Sequence, residues 1–154
     1  MLRKVNLLFL DIDGCVNHNQ WYYRNRVVKK NWDCGDADPK VIERLNSLSD
    51  LDVKVVISSS WGKDADKLLY DNGLRLPIIG HTEHFYNEWI VRGNEIEKWL
   101  YEHLHVDYDD FNYVIFDDDT DFLLKQKNNF IHINPQRGIT DRHIEKARKI
   151  FLEK

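Results

Sequence analysis

Three short, mostly apolar runs constrain this chain more than anything else in it: Val5–Leu10, Val53–Ile57 and Tyr113–Phe116. Each is too short for a helix and apolar at successive positions, which is the pattern of a strand covered on both faces. Each also stops abruptly in polar residues: Asp11-Ile12-Asp13, Ser58-Ser59-Ser60 and Asp117-Asp118-Asp119. Leu76–Ile79 and Phe130–Ile133 read as two further strands, the second stopped by Asn134-Pro135. Helical spacing fills the intervals. Pro39 opens a helix carrying Val41, Ile42, Leu45 and Leu48, and a shorter one runs from about Lys63 to Asn72 and stops at Gly73. Asn94 is placed to cap a third, with Glu97 reaching back and Ile96, Trp99, Leu100 and Leu104 buried. Thr140 caps the last, which turns Ile144, Ala147, Ile150 and Phe151 inward. Strands alternating with helices predict an α/β fold with a mostly parallel five-stranded sheet and helices on both faces. In such sheets ligands bind beyond the carboxyl ends of the strands, where all three polar clusters fall.

No repeat or linker interrupts the 154 residues, so 1–154 reads as a single domain, with an irregular, aromatic-rich insert at about 15–38. The formal charge of −4 argues against bulk electrostatic attachment to nucleic acid or an anionic membrane, while leaving room for a local basic patch. No segment approaches membrane-spanning length or resembles a secretory leader. Cys15 and Cys34 therefore read as free thiols, and the expected location is the cytoplasm. The histidines show no metal-type spacing beyond His103/His105, which do not share a helical face, so no zinc site is assigned. Trp89 and Trp99 read as core residues.

The chemistry concentrates in the carboxylates. Side chains alternate along a strand, so Asp11 and Asp13 point the same way at the end of a buried element, where two like charges repel. A cation or a reaction that uses both relieves that cost, and Gly14 gives the chain a sharp exit. Asp117, Asp118, Asp119 and Asp121 add a second acidic cluster, read either as a hard-cation site or as a solvated turn with an Asx-type cap. Ser58, Ser59 and Ser60 offer hydroxyls and amides to an anion, or simply cap the helix that follows. Arg92 supplies a fixed positive charge before Gly93, with Lys63 as its rival.

In this order, Asp11-Ile12-Asp13-Gly14, a strand ending in serine, a basic residue at a helix start, then a strand ending in Asp-Asp, the chain resembles the haloacid dehalogenase (HAD) superfamily of phosphohydrolases. Val56-Ile57-Ser58-Ser59-Ser60-Trp61, Gly80-His81-Thr82, Arg92 to Leu100, Phe116 to Asp119 and Arg137 to Thr140 resemble, more narrowly, the small HAD domains associated with RNA-repair proteins. The resemblance implies a Rossmann-like HAD fold with a small flap or cap after strand one. It implies Asp11 as nucleophile, forming an aspartyl-phosphate, and Asp13 as general acid and base with a raised pKa. Mg²⁺ would be held by Asp11, the Asp13 main-chain carbonyl and Asp117, with Asp118 close or through water. Ser58 and the Ser59 amide would bind the phosphoryl group, and Arg92 would stabilise its charge. Cys15 stands where the superfamily usually has Thr. Gly62 separates Trp61 from the basic residue that often follows it directly in the narrower family.

The insert suggests a substrate. Trp21 to Trp32 holds Arg24, Arg26, Lys29 and Lys30 and no acid, with aromatics that could stack on a base. The alternative is a flap whose rings pack on the body and whose cations are solvated. The expected function is a Mg²⁺-dependent phosphomonoester hydrolase acting on a nucleotide or on a phosphorylated nucleic-acid end. The alternatives are a small-metabolite phosphatase and a non-catalytic, regulatory phosphate-binding module on the same fold.

Overall fold

The structure, a computed structural model, describes residues 4–85, 90–104 and 110–153. Its frame is a five-stranded sheet of β1 (Val5–Leu10), β2 (Val53–Ile57), β3 (Ile78–His81), β4 (Phe111–Asp117) and β5 (Phe130–His132). The order across the sheet is β3-β2-β1-β4-β5, and every pairing is parallel. β1 lies in the middle, with Leu10 level with Ile57 on one side and Phe116 on the other.

Alternation along the strands builds two cores. Leu8 and Leu10 of β1, Val55 and Ile57 of β2, and Val114 and Phe116 of β4 face one side. There they meet Val41, Ile42 and Leu45 of α2 (Pro39–Asn46), Ala65 and Leu69 of α3 (Asp64–Asp71), and Ile144, Ala147 and Phe151 of α5 (Asp141–Leu152). Leu7, Phe9, Val56 and Ile115 face the other side, against Ile96, Trp99 and Leu100 of α4 (Arg92–His103). Phe9 meets the edge of Trp99 at 5.7 Å between ring centroids. Burying each large apolar side chain contributes about 1.5–3 kcal/mol, so the central strand is fixed from both faces. The fold predicted from the sequence is the one observed, Trp99 is core, and the sheet is parallel throughout. Trp89 and His105 lie outside the described residues.

Several boundaries differ. β3 begins two residues later than expected, after Pro77, whose ring nitrogen has no N–H to donate; its carbonyl accepts from Val55 N at 2.8 Å. Asn94 does not cap α4, which already begins at Arg92. The Arg92 and Gly93 N–H groups instead donate to Asp121, to Oδ2 at 3.0 Å and to the carbonyl at 3.2 Å. Glu97 faces Gln126, whose Nε2 donates to it at 3.1 Å. Thr140 does cap α5, with His143 closing the capping box.

The insert is not irregular throughout. A short helix, α1 (Asn19–Tyr22), widens into a π-helical stretch over Tyr23–Val28. The base of this flap is fastened by a buried pair, His18 Nε2 to Asp38 Oδ2 at 2.6 Å. His18 Nδ1 accepts the Trp21 N–H at 3.2 Å, so the proton sits on Nε2 and is donated to Asp38. Although burial works the other way, this bond and the Lys40 N–H hold the Asp38 carboxyl below the usual carboxylate range. The Asp38 N–H in turn donates to the Val16 carbonyl at 3.1 Å.

Candidate active site

Parallel pairing brings the ends of β1, β2 and β4 together. The Asp11 N–H donates to the Phe116 carbonyl at 3.0 Å and the Ser58 N–H to the Leu10 carbonyl at 2.9 Å. Asp11 therefore leaves the central strand between Ser58 and Asp117, and all three are buried. Arg92 enters from the start of α4. Its Nη1 lies 3.1 Å from Asp11 Oδ1, 3.0 Å from Asp117 Oδ2 and 2.8 Å from the Ser58 carbonyl. One guanidinium nitrogen thus ties three strand ends. Lys63, its rival, is exposed ahead of α3.

One cation does not balance the carboxylates. Burial, then the neighbouring Asp117 charge, raises the Asp11 carboxyl to about 8 against the pull of Arg92. Burial likewise raises Asp117 to about 6, with Arg92 and the Asp119 N–H opposing. Burial costs Arg92 some of its charge preference, but Asp117 and Asp11 more than restore it, so it stays protonated.

Asp118 completes the acidic face. It is within hydrogen-bonding contact of Asp11 and packs over Gly14, where an added Cβ would lie 2.5 Å from its Oδ2. Asp11, Asp118 and Cys15 bring one ligand atom each within 4.8 Å of one another. Burial, with Asp11 and Asp117 adding to it, keeps the Cys15 thiol protonated, which leaves a set of carboxylate oxygens. That set, with its excess of negative charge, fits a hard divalent cation such as Mg²⁺. Both oxygens of Asp117 are engaged, by Arg92 and by the Asp119 N–H at 2.9 Å, whereas Asp118 faces Asp11.

Asp13 stands at the rim with its side chain exposed, aimed by two donors: Asn17 Nδ2 at 2.9 Å and Trp61 Nε1 at 3.1 Å. Asn17 Oδ1 also accepts the Gly14 N–H at 3.0 Å, which fixes the turn. Ser58 Oγ is buried without a hydrogen-bond partner among the described residues. Such a hydroxyl costs about 1–3 kcal/mol unless a ligand meets it. The Ser59 hydroxyl accepts the Trp61 N–H at 3.3 Å. The chain then turns through Gly62 (φ 55°), and α3 starts at Asp64, within one residue of the expected start, with Lys63 rather than a serine at its N-cap. Asn17 and Trp61 were not singled out by sequence reasoning, although Trp61 lies within the Ser-Ser-Ser-Trp motif. Asp121, one of two candidates for an Asx-type cap on the next helix, accepts from the Arg92 N–H at the start of α4.

No helix among the described residues is long and apolar enough to cross a membrane. No curated protein sequence matches the chain. The HAD domain of the effector protein Lem4 from Legionella pneumophila shares the fold at a TM-score of 0.56 and 15% identity, over 98% of this chain and 99% of that one. The sequence profile of the HAD domain in Swiss Army Knife RNA repair proteins matches residues 7–144. With that profile spanning most of the 154 residues, and the parallel sheet and acidic strand ends it accompanies, the chain belongs to this family of HAD domains.

Proposed function

We propose that the protein is a Mg²⁺-dependent phosphomonoester hydrolase whose substrate is a nucleotide or a phosphorylated polynucleotide end. The observation that carries this reading is the Arg92 bridge. A buried carboxylate, Asp11, is held 3.1 Å from a guanidinium nitrogen that also touches the Ser58 carbonyl, next to a buried serine hydroxyl without a partner among the described residues. That is a nucleophile with an anion cradle beside it. The family's occurrence in RNA repair proteins supports a nucleic-acid substrate.

Asp11 and Asp118 would hold a divalent cation, which would supply positive charge to ionise Asp11 and offset the substrate phosphate. Ser58 Oγ donates to a phosphoryl oxygen, which satisfies its own buried hydroxyl. Asp11 attacks phosphorus; the ester P–O bond breaks, and Asp13 delivers a proton to the departing oxygen. The resulting aspartyl-phosphate is hydrolysed by a water whose proton returns to Asp13, releasing inorganic phosphate and restoring Asp11. Arg92 keeps Asp11 and Asp117 in place and meets the charge that builds on the phosphoryl oxygens. Asn17 and Trp61 hold Asp13 toward the leaving group.

Turnover of an aryl phosphate in Mg²⁺ tests the chemistry. Asp11→Asn is expected to reduce it roughly a thousandfold or more. Retention of wild-type turnover in that variant would overturn the nucleophile assignment. Phosphate binding without turnover by the wild type would make the domain a binding module instead.

A further inference from the structure

The flap's two faces have different partners. Inward, Asn25 is buried and donates to the Trp21 carbonyl at 2.9 Å. Tyr22 Oη donates to Asp36 at 2.8 Å, and Arg26 lies over the Tyr22 ring at 4.2 Å and 3.7 Å from Asp36. The Tyr22 and Arg26 side chains are thus committed to the flap itself.

Outward, Asn19, Gln20, Tyr23, Arg24 and Val28 line a cleft of about 630 Å³ whose far wall is Gln136, in the loop after β5. That volume falls within the roughly 300–1,000 Å³ of small-molecule sites. The cleft is stitched together by main-chain bonds, Asn19 N–H to the Pro135 carbonyl and Gln20 N–H to the Gln136 carbonyl, both at 3.0 Å. It is therefore preformed. No carboxylate lines it, and no carboxylate among the described residues pairs with Arg24. Tyr23 is 62% exposed, an open ring beside an unpaired guanidinium. π-Helical turns such as Tyr23–Val28 occur frequently at functional sites.

We infer that this cleft binds single-stranded polynucleotide, taking the nucleotide adjacent to the phosphorylated end. The inference rests on the phosphatase reading and narrows its substrate from mononucleotides to strands. Three carboxamides, Asn19, Gln20 and Gln136, both donate and accept, as base edges require. Tyr23 offers a stacking face, Val28 an apolar wall and Arg24 a charge for a backbone phosphate. The position suits the second nucleotide. Asn19 is two residues beyond Asn17, which holds Asp13 at 2.9 Å, so the cleft opens within about 7 Å of main chain from the rim of the site.

Fluorescence anisotropy with a labelled single-stranded oligonucleotide that lacks a terminal phosphate isolates the cleft, and aryl phosphate turnover is followed in parallel. Tyr23→Ala and Arg24→Ala are each expected to weaken oligonucleotide binding about tenfold and to leave aryl phosphate turnover unchanged. Tyr23→Phe should retain binding, and Arg24→Ala should flatten its salt dependence. Oligonucleotide affinity unchanged in both alanine variants, or absent in the wild type, would overturn the inference. Competition by a nucleoside monophosphate as effective as by the oligonucleotide would also overturn it. Failure of the phosphatase reading has a separate signature, no aryl phosphate turnover by a wild type that still binds the oligonucleotide.

Discussion

Asp11 is buried beside a like charge, and its titration shapes the response of the molecule to pH. Its carboxyl titrates near 3.8 when unfolded and is raised to about 8 by burial and by Asp117. The native state therefore binds more protons than the unfolded state between those values, and stability falls as pH rises through that window. One proton gives a slope of about 1.4 kcal/mol per pH unit, steeper below about 6, where Asp117 contributes with the same sign. Urea unfolding in chelator should show this decline from pH 4 to 8, and Asp11→Asn should flatten it; an unaltered slope in that variant would refute the account. Gly14 matters for a different reason. Its φ of +81° is a left-handed conformation, and a Cβ there would meet Asp118 Oδ2 at 2.5 Å. Gly14→Ala should cost about 1–3 kcal/mol, and it should displace Asp118 and so reduce the thermal stabilisation expected from Mg²⁺ under the proposed function. The aspartates and serines were legible as residues because each follows an apolar run directly. The contact of Arg92 with Asp117 rather than Asp118 was not, since it depends on which carboxylate that side chain reaches across the sheet.

Helix α4 illustrates why element boundaries are harder to read than element types. Its apolar spacing identifies Ile96, Trp99 and Leu100 as buried, and they are. Its start is fixed by Asp121, 29 residues away in the chain, so the local candidate Asn94 is left inside the helix. That remote cap also places Arg92. Asp121→Ala should cost about 0.5–2 kcal/mol, the usual value of a lost cap, and should lower aryl phosphate turnover beyond what the loss of stability explains. Turnover at the wild-type level in a folded variant would separate the cap from the site. The flap gave a weaker signal still. Its aromatic and basic residues follow no apolar stripe, because its helical turns are held by His18, Asp38 and Asp36 rather than by a packed face. Composition identified the segment as distinctive; only the fold distinguishes Arg24, on the cleft, from Arg26, beside Asp36.

At the scale of the whole molecule, the sheet order β3-β2-β1-β4-β5 puts the earliest strand in the middle. β1 acquires β2 about fifty residues later in the chain and β4 about a hundred later, with Leu10 level with Ile57 and Phe116. Pairings so distant in sequence are slow to close, because chain entropy is lost before the contacts form. Asp11, Ser58, Arg92 and Asp117 accordingly come into register only when the last of these closures is made. A chain emerging from the ribosome, or one stalled on the way to the native state, holds its acidic residues far apart. The proposed reactivity toward phosphate esters would thereby be withheld until β4 docks, and its recovery during refolding would time the arrival of β4 beside β1.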